Sequence, residues 1–512
     1  MLSYKVTKLG IYPLPKSIVH RSMFSRYRQK AIPWLLLPAL SFSAIAPHAE
    51  DNPIKLPELG TVASSSLTIE KELRIGQAYR MMMRSQLPII TDPLIEQYIN
   101  DIGLSLVANA NDVKTPFDFF VVEDKAINAF AFFGGHVGIH SGLFLLADNE
   151  SELAAVLSHE ITHVTQRHLA RSIEARSKTS PATLATLLGS IALVLAGAGE
   201  AGIAGIQASL AVSQQLAINY TRTNEREADR IGIELSARSK FNPKSAAVFF
   251  TKMAALHRYS TKLPPMLLSH PVTELRVAES RVRAEKYPDI IPSVKLNFLL
   301  TKARIMVRFN DSSNDTIGHT LNVAFDNSEV NHQKALSYGK ALLALKKKNY
   351  EEAQKFLTPL IKNNKDNLYY IDTQTDILLA TKQSKKAISM LAIYDGLMKN
   401  NSVVSLNYAT ALIQDKQYDL AISTLERFLE FNPNNAPAWS MLFNANRLAN
   451  HPVERHIAKA EQYALYGNFK GALKELYKAH NKIDNDAIVK AKVQSRIKQI
   501  RVVEENLKNL KI

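Results

Sequence analysis

His159-Glu160-Ile161-Thr162-His163 lies in a segment whose apolar residues Leu153, Val156, Leu157, Ile161 and Val164 fall on one helical stripe. Asn149, with Glu152 three residues on, supplies a capping box at its start. At about 3.6 residues per turn, positions four apart share a helix face, so both imidazoles can reach one ion. Glu160 flanks the same opening, close enough to take a proton without ligating the metal. A catalytic zinc takes three protein ligands and keeps one position open. The chain has no Cys, so the third ligand must be a His or a carboxylate, and no disulfide framework can form. Gln166 and Leu169 do not extend the metal pattern. His168 stands five residues after His163, off the metal face of a continuous helix, and reads as a surface histidine.

Glu225-Arg226-Glu227-Ala228-Asp229 is the best source of the third ligand, because Glu225 and Asp229 are four apart and can point the same way from one helix. Four features together resemble the M48 peptidases: His159–His163, Glu225-x-x-Ala228-Asp229, Asn128-Ala129-Phe130-Ala131 with Gly134–Gly135, and His270–Pro271. The resemblance covers essentially the whole chain after its leader and extends to periplasmic members of the family with C-terminal tetratricopeptide repeats. It implies one Zn2+ per chain, held by His159, His163 and Glu225 rather than Glu227. It also implies Glu160 as the catalytic base and Asp229 as the motif's acidic residue, either proton donor or orienting group. Physically, orientation is favoured, since a carboxylate accepting the second imidazole N–H fixes the ring and strengthens the ligand. Glu227 reads as a solvated helix charge. Val137–Ile139 departs from any strict motif, so no subsite preference carries over.

The expected fold is mainly α with a small β-sheet: a zincin-type metalloprotease domain over residues 50–329, then a tetratricopeptide α-solenoid over 330–512. Phe117–Val122 and the alternating segment Ala129–Leu146 read as strands, the latter turning at Gly134–Gly135. A polar helix is expected at Asn224–Ser239, and Pro264, Pro265 and Pro271 should stiffen a loop around His270. The repeats show as Tyr350-Glu-Glu-Ala353, Ser384-Lys-Lys-Ala387 and Tyr418-Asp-Leu-Ala421, an alanine every 34 residues, the tetratricopeptide period. Phe469-Lys-Gly-Ala472 follows Ala421 by 51 residues, one and a half periods. Each helix pair needs neighbours to cover its apolar face, and such solenoids hold a peptide or protein in their concave face.

Residues 1–49 read as a cleaved export signal. Arg21, Arg26, Arg28 and Lys30 precede an apolar run from Ala31 to Ala46, with cleavage expected at Ala49–Glu50 and Met23 as the better start. This segment carries seven Lys/Arg and no Asp/Glu, so the formal +16 of the whole chain falls to +9 without it. That moderate basicity suits acidic partners or anionic lipid and lacks the dense basic clusters of a nucleic-acid binder. Residues 182–218 are rich in Ala, Gly, Leu and Ile but contain Glu200, a poor membrane span and a better surface for peripheral membrane or apolar contact. No set of spans supports an intramembrane protease.

The residues point to an exported zinc endopeptidase. The resemblance implies that it is periplasmic, degrades misassembled outer-membrane β-barrel proteins and aids assembly of the good ones, with repeats that dock the outer-membrane assembly machinery or the substrate. In the expected chemistry zinc activates water and polarises the scissile carbonyl, while Glu160 passes the proton to the leaving amine. The strand after Gly135 is expected to pair with an extended substrate. A rival is a chaperone or adaptor whose proteolysis is mostly silent. His270, in a proline-stiffened loop, is the candidate for a fourth ligand that would close the site.

Overall fold

The computed structural model describes residues 67–177, 222–259, 264–288, 290, 295–484 and 486–508. Residues 1–49, read above as an export signal, and the apolar stretch 182–218 lie outside them. The first half runs α1 (Ile69–Gln86), α2 (Pro93–Val107), β1 (Asp118–Val122), β2 (Ala129–Phe132), β3 (His136–His140), α3 (Ser141–Leu146), α4 (Glu150–Thr165) and α5 (His168–Ser177). It continues with α6 (Arg222–Arg238), α7 (Ser245–Tyr259), α8 (Pro265–Ser269), α9 (Glu274–Ala284), α10 (Leu296–Arg308) and α11 (Asn314–Ala324). Helix starts follow their caps: Thr68 accepts from the Lys71 N–H, and Asp92 accepts from Leu94 and Ile95 with Pro93 at the first helical position. Asn149 accepts from the Glu152 N–H as expected, whereas the Glu152 side chain reaches back to the Asp148 amide.

The sheet has the order β1-β3-β2, with β1 parallel and β2 antiparallel to β3. Gly134 and Gly135 make the β2–β3 turn at φ +79° and +77°, where a Cβ on Gly135 would sit 1.9 Å from the Pro116 carbonyl oxygen. Two expectations need correcting. Residues 141–146 are a helix, not a strand, because the Ser141 hydroxyl bonds the backbone of Asp124 and turns the chain off the sheet, burying Leu143 and Phe144. The strand after Gly135 is β3, which is central and paired on both sides; β2, against α4, is the outer strand on the catalytic side.

The second half is α12 (Val330–Lys346), α13 (Tyr350–Asn363), α14 (Leu368–Ala380), α15 (Ser384–Leu397), α16 (Ser402–Gln414), α17 (Tyr418–Phe431), α18 (Ala436–Leu448), α19 (Pro452–Leu465), α20 (Phe469–His480) and α21 (Ala487–Lys508). Helices α13, α15, α17 and α19 start at 350, 384, 418 and 452, each 34 residues after the last. The alanine motif breaks at α19 because Arg455 stands where the fourth alanine would fall. Helix α20 then starts 17 residues later, half a repeat, which accounts for the interval of one and a half periods. Ala353, Ala387, Ala421 and Ala472 are fully buried, as close helix approach requires. The turns before α13, α15, α17 and α19 each have a left-handed residue at the same place: Lys348, Lys382, Lys416 and Asn450, φ between +59° and +63°.

One apolar core runs from Ile90 to Val403, so α12 to α14 pack into the same interior as α2, α4 and α10. A second joins α1, β1 and β2 to α19, α20 and α21, ending at Leu507. Among the described residues no helix is long and apolar enough to cross a membrane.

Candidate active site

Helix α4 is buried along nearly its whole length and places His159 and His163 one turn apart with their Nε2 atoms 3.0 Å from each other. Helix α6 packs across it and brings in Glu225, whose carboxylate oxygens lie 3.6 Å from His159 Nε2 and 3.5 Å from His163 Nε2. The close approach depends on Gly232, where an added Cβ would meet the α4 backbone at 3.2 Å. His270, at the C-terminal end of α8, puts Nδ1 3.3 Å from His159 Nε2 and 3.0 Å from Glu225 Oε1. The proline-stiffened loop is thus a short helix, and its last turn aims the imidazole inward.

Zinc bonds of 2.0–2.1 Å to nitrogen and oxygen in a tetrahedron make its edges roughly 3.3–3.4 Å. With Glu225 Oε1 as its donor, four of the separations just given, 3.0, 3.5, 3.3 and 3.0 Å, fall around that length, and all four donors lie within 4.8 Å of one another. Three imidazoles and a carboxylate are also the donor types zinc takes. Both oxygens of Glu160 are buried without a hydrogen-bond partner, beside this cluster, with Oε1 3.5 Å from His270 Nε2. The residues present therefore fit a zinc ion.

The surrounding charges suit the donors. Burial holds His163 well below its usual range, leaving a neutral imidazole. Burial would raise Glu225 and Asp229, but His270 and Arg276 outweigh it for Glu225, and His159 and Arg276 for Asp229, so both stay ionised. Burial pushes the Glu160 carboxyl up, against the pull of His270 and His159, which makes it a better proton acceptor near neutral pH. Burial alone would lower His270, yet Glu225 and Glu160 raise it, because two buried carboxylates call for a cation at this spot.

Asp229 touches His159 Nδ1 at 3.1 Å and is on the far side of that ring from the donor cluster, the geometry of an orienting group. Arg276 was not legible in the sequence. From α9 it makes two bonds of 2.8 Å to Asp229, lies 2.9 Å from Glu225 Oε2 and donates to the Pro271 carbonyl. No local pattern marks it, since α6 and α9 meet only in the folded chain. His168, read as a surface histidine, is not one, and Glu227, read as a solvated helix charge, is part-exposed but paired. His168 is fully buried, with Nδ1 2.9 Å from His163 Nδ1. Glu227 lies 3.1 Å from both His168 Nε2 and Arg171 Nη1, and these bonds draw its carboxyl down to about 2. The reason is the break after α4: Arg167 adopts φ +52°, so His168 begins a new helix folded back beneath His163. Arg167 is itself anchored, 2.9 Å from Glu72 and 2.6 Å from the Leu67 carbonyl.

The family profile "Peptidase family M48" matches residues 93–284, a span that includes His159, Glu160, His163, His168, Glu225, Glu227, Asp229, His270 and Arg276. A putative beta-barrel assembly-enhancing protease of Vibrio cholerae is 43% identical over 476 residues, 93% of this chain and 98% of that protein. The chain belongs to the M48 peptidases. Its similarity to the beta-barrel assembly-enhancing protease of Escherichia coli is 38% over 483 residues, 94% of this chain and 99% of that one. Yeast Tom70, a solved structure, aligns with 70% of this chain at a TM-score of 0.27 and 13% identity, too loose a likeness to define a fold. This M48 peptidase is a zinc-dependent metalloprotease whose substrates are proteins.

Replacing Glu225 by Ala should cost more zinc affinity than the roughly 10–100-fold expected for Asp229→Asn, because one loses a donor and the other only an outer partner. Competition against a chelator of known affinity measures both, and equal losses would mean that Glu225 is not a donor.

Proposed function

We propose that this M48 peptidase is a periplasmic endopeptidase that hydrolyses misassembled outer-membrane β-barrel proteins and assists assembly of the rest. Residues 50–329 would carry the catalysis, and the repeats of 330–512 would dock the assembly machinery or the substrate. Near full-length similarity to two beta-barrel assembly-enhancing proteases, both halves included, supports that assignment. In this reading His159, His163 and Glu225 hold zinc and Asp229 orients His159. A zinc ion held there would supply Lewis acidity, making water more acidic and a scissile carbonyl more electrophilic. Glu160 takes the proton and delivers it to the leaving amine. The outer edge of β2, one layer from α4, offers backbone groups to an extended substrate without strong sequence choice.

The observation that carries the proposal furthest is His270 at the fourth corner of the donor tetrahedron, facing the base Glu160. A side chain there takes the place that substrate and water need, so proteolysis waits until α8 withdraws. An envelope protease with no energy-driven gate gains discrimination this way. His270→Ala should raise basal casein degradation and self-cleavage about tenfold or more, a bias of about 1.4 kcal/mol or more toward the closed state. A chelator should abolish the gain. A quiet His270→Ala protein with full zinc and normal thermal stability would sink the latch.

The same closed corner favours a second reading, a repeat-based chaperone or adaptor in which proteolysis is mostly silent. Barrel assembly supported equally by the active protein and by Glu160→Gln would favour it.

A further inference from the structure

Asp229 steadies the His159 ring through Nδ1. The other helix-borne donor, His163, also has a partner at Nδ1, and that partner is another imidazole. We propose that His168 and Glu227 form a positioning relay for His163, resting on the reading of His163 as a zinc ligand. The geometry assigns the protons. His163 turns Nε2 toward the donor cluster, 3.0 Å from His159 Nε2, so its ring proton sits on Nδ1 when Nε2 ligates. That N–H donates across 2.9 Å to His168 Nδ1, which must then be the bare acceptor nitrogen. The His168 proton is left on Nε2, where it donates to Glu227 Oε2 at 3.1 Å. Arg171 donates to the same oxygen from 3.1 Å and fixes the carboxylate. The two rings cross at 79° with centroids 4.8 Å apart, a hydrogen-bonded contact rather than a stack.

The chain Arg171–Glu227–His168–His163 joins α5, α6 and α4, three helices that share no local sequence pattern. It exists because of the turn at Arg167. On an unbroken helix, a residue five places after His163 would sit about 140° around the axis from it and could not meet its ring. The left-handed Arg167 breaks the helix, and its bonds to Glu72 and Leu67 hold the break in place. A buried imidazole in contact with a donor ring also costs more than an apolar residue of similar size would, unless it is fully bonded. Here both of its nitrogens are engaged.

The test uses the full chain without its leader and measures zinc dissociation by competition with a chelator of known affinity. Cobalt substitution, read by its visible absorption, reports the geometry of the site. His168→Phe keeps a planar ring but removes both nitrogens, and should weaken zinc roughly 10–100-fold and shift the cobalt spectrum. Glu227 is part-exposed, so its variants are expected to fold. Glu227→Ala should weaken zinc by roughly tenfold, while Glu227→Gln, whose amide oxygen still accepts from His168, should restore most of the affinity. Unfolding midpoints of the zinc-free Glu227 variants should match the parent. Zinc affinity within about twofold of the parent in both His168→Phe and Glu227→Ala would overturn the relay, as would Glu227→Ala and Glu227→Gln behaving alike. Parental zinc affinity in His163→Ala would instead overturn the ligand assignment, and the relay with it.

Discussion

Glu160→Gln should leave zinc bound at about one ion per chain and lower proteolysis by roughly 10²–10⁴-fold, the usual contribution of a positioned base. The substitution changes one oxygen for an NH₂ group in a fully buried position, so the shape of the opening is kept. What is lost is a carboxyl that burial holds above its usual range, a group that can take up a proton where an amide cannot. The three proposed ligands are untouched, which is why metal and activity should separate. Metal analysis together with casein hydrolysis checks both halves of the expectation. A variant that cleaves at a comparable rate would remove Glu160 from the role of base.

The second large effect is structural. Arg304 on α10, 1% exposed, donates to Asp92 at the start of α2 and to the Tyr338 hydroxyl on α12. It also pairs with Asp372 on α14 at 2.7 Å. Arg304→Ala leaves two buried carboxylates facing one another's charge, with only Arg308 nearby, 3.9 Å from Asp92 and 3.5 Å from Asp372. Breaking a buried pair from one side costs roughly 3–5 kcal/mol. Because the partners lie on both sides of residue 330, the loss should lower the unfolding midpoints of catalytic and repeat halves together in a denaturant titration. Independent transitions, with only one half shifted, would show that the network does not couple them. The same network bears on cutting the chain at 329/330. Residues 50–329 retain every proposed metal-site residue but deprive Arg304 of Tyr338 and Asp372, and they strip from α10 the helix α12 that packs against it.

Much of this protein is written in short-range patterns. The two histidines and glutamate on α4 are legible because 3.6 residues per turn sets a helix face without reference to anything else. The 34-residue period is legible because each helix pair repeats its own small-residue contact, and it stays legible until Arg455 interrupts the motif while the helix starts keep time. Gly134 and Gly135 announce a turn because few other residues adopt positive φ cheaply. The four-residue spacing of Glu225 and Asp229 marks them too, and the family resemblance singles out Glu225 over Glu227. Tertiary structure decided the rest. His168 reads as a surface residue on a continuous helix, but a left-handed turn at Arg167 ends that helix, and Glu227 on α6 meets His168 only in the folded chain. Arg276, Gly232 and the inward aim of His270 follow from how α6, α8 and α9 pack around α4, and no spacing along the chain encodes that. The embrace of the catalytic half by the repeats has the same origin. A periodic pattern reports that a face must be buried, but which face covers it is settled only when the whole chain competes for apolar contact.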